Sequence, residues 1–443
     1  MKQPGASEFR KALQHDTAEL LDSVLDAAES RGLAVYAVGG PVRDLLLSKA
    51  IHDVDLLLET GDAVALATLA APPDARVTRH DRFGTVRLQF GSAAIDLSAA
   101  RRETYAHAGA LPRVEPGSLE EDLARRDFTA NALALPLSSH AQREHSGIID
   151  LADGVADLVG GHLRILHPRS FHDDPTRVLR AARLGPRLGL SLTRGSRTAL
   201  RDALRDGVFG RVSGDRLRRE LVKVFDDVRL GLDPSGVLRL LSNWHVLGAL
   251  EPGLDLPRAA VVPLRRLGRA IASPPWRSGR WRSWISGLSI WLAPASPALR
   301  RRALQRFSVR GEVAQVISRF PKASGGWMDA LHRARGRGAV DAALAALSEE
   351  ELYALYSLAE SKVRRRIARF AVEDRMRRAP VTGEDLLEIG LEGPALGRVL
   401  HRVRIAYLDG VLKSRDEAIA LAREIARRRG ASKLKAVAKA SRR

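Results

Sequence analysis

Residues 36–59 read YAVGGPVRDLLLSKAIHDVDLLLE. An apolar stretch stops on Gly39-Gly40, and Pro41 then opens a helical turn carrying Arg43 and Asp44. A second apolar run follows, HDVDLLLE at 52–59, with Asp53 and Asp55 two positions apart. On a strand the period of two sends both carboxylates to one face, while Val54 and the run Leu56–Leu58 supply the buried side. Two such acids repel unless a cation lies between them, and magnesium accepts carboxylates together with substrate phosphates. The glycines remove side chains where a strand meets a helix, so backbone N–H groups can approach an anion. Arg43 adds a guanidinium fork suited to phosphate oxygens. An isolated Asp-x-Asp is far more often a turn or a solvated edge than a metal site. The joint pattern of glycine turn, arginine and acids beside three leucines favours a site, because buried charge without a use is costly.

Working outward, residues 9–31 have helical spacing, and 33–40 and 52–59 read as strands. Residues 76–100 read as strand, glycine-containing turns and strand. Ser118 and Glu121 form a capping box for SLEEDLARR, and FTANALALPL and LRIL are further buried pieces. Beyond about residue 168 strand signals fade. Helical periodicity recurs in 173–189, opened by Asp173, Asp174 and Pro175, in 213–227, and in most of the rest. The stretch 255–296, rich in Pro, Ser, Gly and Trp, is expected to be irregular links between short helices. The closing ASKLKAVAKASRR is expected to fray without a partner. The fold class is therefore α+β, a mixed-sheet head followed by an all-helical remainder. The expected division is a head at 1–165, a neck at 166–230, a body at 231–330 and a basic tail at 331–443.

Charge narrows the function. The 443 residues hold 72 Lys+Arg against 52 Asp+Glu, a net +20, which calls for a polyanionic partner. Aromatic residues are only 5%, so binding along a chain of stacked rings is disfavoured. No cysteine is present, which excludes disulfides, thiolate metal sites and cysteine nucleophiles and suits a cytoplasmic setting. No apolar run is long enough to span a membrane, and the N-terminal stretch lacks an apolar signal core. The 12 histidines form no metal-ligand pattern, and no nucleophile elbow or P-loop is present.

VGGPVRDLLL with HDVDLLL resembles the opening motif, GGxVRDxLL and then D-x-D, of the class II tRNA nucleotidyltransferase and bacterial poly(A) polymerase family. That family lies within the polymerase β-like superfamily. The resemblance continues through Asp96, Arg102-Glu103-x-Tyr105, Leu111-Pro112-x-Val114 and RRDFTANA at 125–132, and IIDLADGVADLVGGHLRIL resembles a closing strand–turn–strand. FHDDPTRVLRAARLG resembles the D-D-x-x-R motif, with Leu184 where an aromatic is usual, and SGDRLRRELVKVF resembles the helix that follows it. Residues 380–425 resemble the tail of many members, with Glu392-Gly393-Pro394 in place of Pro-Gly-Pro.

The resemblance implies a polymerase β-like head and addition of C, with A left open, to the 3′ end of the tRNA acceptor arm from CTP and ATP. It implies two Mg²⁺ ions held by Asp53 and Asp55, with Asp96 as a third carboxylate or an acid behind them. It places Gly39, Gly40, Arg43, Asp44, Arg126, Asp127 and Asn131 around the nucleotide. Asp174 and Arg177, one helical turn apart, imply a protein template that selects the base, with Arg180 and Arg183 continuing that face. The loop between Arg102 and Leu119 is the expected discriminator among CCA-adding, CC-adding and A-adding activity. Poly(A) polymerase is an alternative on the same scaffold. A non-catalytic helical RNA-binding protein is the alternative of another class.

Overall fold

In the computed structural model the described residues are 4–80, 84–277, 279 and 281–440. The chain divides into two compact units, Met1–Glu220 with Asn243–Pro252, and Leu221–Ser242 with Gly253–Arg443.

The first unit is built on a seven-stranded sheet. Its strands in chain order are β1 (Val35–Val38), β2 (Val54–Leu58), β3 (Arg76–His80), β4 (Thr85–Phe90) and β5 (Ala93–Ala99), then β8 (Leu133–Pro136) and β9 (Ile149–Asp150). Between these last two groups β6 (Arg101–Thr104) and β7 (Arg113–Pro116) form a separate antiparallel ribbon. The sheet order is β3-β4-β5-β2-β1-β8-β9, antiparallel except for the β2/β5 pair. The pleat sorts β2 into two faces. Leu57 joins Tyr36, Val38, Ala134, Leu119 and Leu123 in one buried cluster. Leu56 and Leu58, also buried, alternate to the other side. Asp55 therefore shares a face with Leu57 and with the helix Leu119–Ala124. That helix carries the expected Ser118/Glu121 capping box.

Several local readings change. The N-terminal segment is two helices, Ala6–Lys11 and His15–Ser30, not one. Residues 76–100 hold three strands, with residues 81–83 of that segment outside the described set. The segment 149–163 contains a helix, Gly154–Val159, whose first amides are held by the Asp150 carboxylate (Gly154 N 2.7 Å, Val155 N 2.9 Å). The helix Ala63–Ala70 had no expectation; Asp62 caps it, accepting from Val64 N at 2.7 Å.

The second unit is helical. Residues 255–296 are largely two helices, Arg258–Ala272 and Ser283–Trp291, rather than irregular links. Burial of Ala260, Pro263, Leu264, Leu267 and Ile271 outweighs the proline within the first. Gly287 in the second packs against the Phe225 ring so closely that a Cβ would lie 2.1 Å from it. Trp291 is buried and donates from Nε1 to the Asp255 carbonyl at 2.9 Å. A C-terminal cluster gathers Val381, Leu386, Val399, Val403, Leu412, Ala418 and Ala422. The helix Arg415–Ala440 runs through most of the segment expected to fray; residues 441–443 lie outside the described set.

Candidate active site

The antiparallel register of β1 and β2 sets Ala37 opposite Leu56, so its continuation brings Val38 across from Asp55. Gly39, the next residue, has φ +74° and ψ −122° and donates to the Leu133 carbonyl at 2.9 Å. A side chain there would be strained, and its Cβ would lie 2.7 Å from Arg126 Nη1. Gly40 begins the helix Gly40–Leu46. The turn thus delivers a guanidinium to the end of β1, beside the start of β2.

Asp55 pairs in register with Asp96 on β5, and Asp96 with Arg87 on β4. Arg87 Nη1 donates to Asp96 Oδ2 at 3.0 Å. Asp53 lies one residue ahead of β2 and is exposed. Burial above all pushes the Asp55 carboxyl up to about 6; Asp96 and Asp53 push the same way, and Arg126 and Arg87 oppose them. Among the described residues no group of three or more His, Asp or Glu side chains converges as a metal cluster.

Arg126 is aimed by Asp122, which is fully buried. Asp122 Oδ2 accepts from Arg126 Nη2 at 2.8 Å, and Oδ1 from Arg125 Nε at 2.9 Å. Arg125 Nη1 in turn donates to Glu103 Oε1 at 3.0 Å, and Tyr105 donates its hydroxyl to Glu103 Oε2 at 2.8 Å. Arg126 Nε is buried without a hydrogen-bond partner among the described residues. Asp122 was not singled out from sequence. Its spacing of three and four from Arg125 and Arg126 on a capped helix was the available signal.

A second chain of polar contacts ties three segments together. Arg43, 4% exposed, donates from Nη1 to Asn131 Oδ1, and from Nε to Asp44 Oδ1 at 2.8 Å. Asn131 Nδ2 donates to Asp127 Oδ1 at 2.9 Å, and Asp127 Oδ2 lies 2.9 Å from Arg180 Nη2. Burial raises the Asp127 carboxyl, but Arg180, the Asn131 amide and Arg177 outweigh it, so the group sits below its ordinary value. Asp44 Oδ2 also meets Arg187 Nη2 at 3.4 Å, and Arg183 pairs with Glu220.

Asp174 and Arg177 do not share a helix face. The helix begins at Thr176, and Asp174 precedes it in extended conformation. Its Oδ1 accepts from Thr176 N at 2.9 Å and lies 2.6 Å from Arg216 Nη2. An acid followed by Pro-Thr caps the helix, and capping takes the residue out of it. Arg177, 4% exposed, donates to Ser170 Oγ at 2.6 Å and to the Arg125 carbonyl at 2.7 Å. It also lines a pocket of about 250 Å³ with Glu103, Tyr105, Arg125 and His167.

A model of the poly A polymerase head domain matches residues 35–164. An A-adding tRNA nucleotidyltransferase of Aquifex aeolicus is 37% identical over 54% of this chain and 28% of its own length. One of Geobacter sulfurreducens is 31% identical over 94% of this chain, which spans 48% of that relative. A CC-adding tRNA nucleotidyltransferase of Deinococcus radiodurans is 30% identical over 94% of this chain and 96% of its own. Among solved structures, a CCA-adding enzyme with CTP superposes at TM-score 0.71 and 25% identity, over 95% of this chain and 98% of the other. One with ATP superposes at 0.70 and 26%, over 95% and 96%. The glycine turn, Asp53 and Asp55, and the RRDFTAN segment thus lie in a chain that belongs to the class II tRNA nucleotidyltransferase family of the polymerase β-like superfamily.

Proposed function

We propose that this chain extends the 3′ end of tRNA with C from CTP, and with A from ATP, without a nucleic-acid template. The observation that carries this reading is the row Asp55–Asp96–Arg87, with Asp53 beside it, facing the Arg126 guanidinium packed on Gly39. The tRNA 3′-oxygen attacks the α-phosphorus, the bond from that phosphorus to the β-phosphate oxygen breaks, and pyrophosphate leaves. The hydroxyl proton passes to solvent.

The residues fit a hard divalent cation. Two further carboxylates, Asp96 and Asp53, lie close enough to push Asp55 upward beside the larger effect of burial, against Arg126 and Arg87. Asp53 and Asp55 would hold two Mg²⁺ ions, whose chemistry is to acidify the attacking hydroxyl and offset triphosphate charge. Asp96, engaged by Arg87, orients that arginine rather than joining a three-acid cluster. Arg126 receives phosphate oxygens through the nitrogens that Asp122 leaves uncommitted. Arg43, Asp44, Asn131, Asp127 and Arg180 hold the glycine turn, the RRDFTAN segment and the helix Thr176–Leu188 together, and Arg183 ties that helix to Glu220. Asp174 and Arg177 select the base, Arg177 from the wall of the small pocket.

The test is incubation with tRNA ending at the discriminator base, at C and at CC, with CTP alone, ATP alone or both. Growth on the first two ends with CTP supports the reading. A second reading, addition of A alone, is favoured by the A-adding relatives at 31–37% identity. Growth only on the CC end with ATP would establish it. Tracts of A on any RNA would indicate a poly(A) polymerase, and no growth anywhere would remove the enzymatic reading.

A further inference from the structure

The second unit holds an open cleft of about 1460 Å³, lined among others by Trp276, Trp281, Arg229, Arg277, Arg282 and Arg375. Aromatic residues are scarce in this chain, yet four meet here. Trp281 lies flat on Tyr353, with ring centroids 3.8 Å apart and planes within 5°. Tyr353 is fully buried and also packs on Trp276, 4.4 Å away, whose other neighbour is Tyr356. Trp276 is pinned through Nε1 to Glu349 at 3.0 Å. Trp281 is thus a rigid plate: one face is covered by Tyr353, and its remaining surface lines the cleft.

The cations around this plate divide in two. Arg375 pairs with Glu349 and Arg282 with Glu350. Arg229 and Arg277 are exposed and have no ion-pair partner among the described residues. Asp226 is the one carboxylate of the lining among the described residues. The lining also includes Val372, 55% exposed within the π-helical turn Phe370–Asp374, and Met376, 75% exposed just beyond it. Asp374, fully buried, anchors that turn by accepting from Arg337 Nε at 2.6 Å. A flat aromatic, exposed apolar side chains in the same lining and two guanidinium groups without an ion-pair partner among the described residues suit a planar base and its neighbouring phosphates. The cleft exceeds the roughly 300–1,000 Å³ of small-molecule pockets and is open, which suits part of a polymer rather than a free nucleotide.

We propose that this cleft binds an unpaired nucleotide of an RNA strand, its base against Trp281 and its phosphates against Arg229 and Arg277. The site is independent of the catalytic residues assigned above. Body helices of net positive charge attract duplex RNA through its phosphates alone; this cleft adds a place that only an unstacked base can fill.

The test uses a 3′-blocked, labelled oligoadenylate and a blunt RNA duplex of equal length, binding the full chain. Arg277→Ala and Trp281→Leu should each weaken the oligoadenylate about tenfold, with duplex binding within about twofold of wild type. Trp281→Phe should retain most of the affinity. Oligoadenylate should quench indole fluorescence in the wild type, with a smaller amplitude in Trp281→Phe. Trp281 touches the core, so Arg277→Ala, exposed at the rim, keeps the test decisive if Trp281→Leu misfolds. Unchanged affinity in Arg277→Ala and in folded Trp281 variants overturns the proposal. Equal loss for oligoadenylate and duplex also overturns it, since the arginine would then act as unspecific charge. Displacement of nothing by RNA, alongside tight binding of an acidic apolar peptide, would assign the cleft to a protein partner.

Discussion

Replacing Asp55 by Asn removes one carboxylate from a row already rich in them. Turnover should fall at least ~100-fold, because charge stabilisation at the triphosphate is lost. In EDTA the same variant should melt about 2–4 °C higher than wild type, since a buried carboxyl pushed upward by its surroundings is a folding cost. A variant that loses activity and stability together would show that Asp55 supports the fold and not the reaction. Asp122→Asn argues from the opposite sign. Asp122 is fully buried and neutralised by Arg125 and Arg126, so the variant leaves Arg126 without its carboxylate partner and Arg125 with Glu103 alone. It should lose about 3–5 kcal/mol of stability. Its kcat should also fall at temperatures where it remains folded, while Mg²⁺ affinity holds. The strand carrying Asp55 was legible from sequence because a two-residue period is local, though Asp53, expected on it, lies one residue ahead of it. Asp122 was not, since its importance lies in which arginine it holds and where that arginine points. Asp174 shows the limit of helical spacing: an acid two residues before a helix's first threonine caps it instead of lying on its face.

At the scale of elements, the ribbon β6–β7 is the part whose behaviour the structure changes most. Sequence marks the segment between Arg102 and Leu119 as a loop that discriminates among activities. In the structure its strands pair, and its tip is held at two points. Gly109 N donates to the His172 carbonyl at 2.9 Å, and Arg216 Nη1 donates to the Gly109 carbonyl at 2.9 Å. Arg216 also meets Asp174, so one guanidinium ties the ribbon tip to the carboxylate proposed to select the base. Arg216→Ala should speed hydrogen exchange at residues 106–110 by about tenfold or more, leaving β1, β2 and β5 protected. It should also blur the choice among CTP, ATP, UTP and GTP. Unchanged exchange with altered nucleotide choice would place the effect of Arg216 on Asp174 alone. The Ser118/Glu121 capping box was read correctly because every contact in it lies within four residues. The sheet order and the ribbon were not legible, since β2 pairs with β5 and β1 with β8 across long stretches of chain. The helix Ala63–Ala70 escaped because alanine carries little amphipathic signal.

On the scale of the whole molecule, composition bears on both stability and binding. Close packing depends on small residues: Gly287→Ala would drive a methyl into the Phe225 ring and should cost about 1–3 kcal/mol, read as a lower melting temperature with the catalytic sheet unaffected. No described helix is long and apolar enough to cross a membrane, and the 72 Lys+Arg exceed the 52 Asp+Glu. Many of these charges are already spent within the chain, as at Arg404 with Asp341 (2.7 Å) and Arg337 with Asp374. What remains is still +20. If the surplus is used on tRNA phosphates, each neutralised phosphate releases condensed counterions, and log affinity falls linearly with log salt. With about 6–10 such contacts, tRNA affinity should drop ~10³- to 10⁵-fold between 50 and 200 mM salt. Fluorescence anisotropy of labelled tRNA across that range gives the slope. The occupancy of CTP on the tRNA-free enzyme should change far less, because one triphosphate meets only a few cations. A slope near zero for tRNA would mean that the basic surface is not where the RNA lies, whatever the chemistry at Asp53 and Asp55.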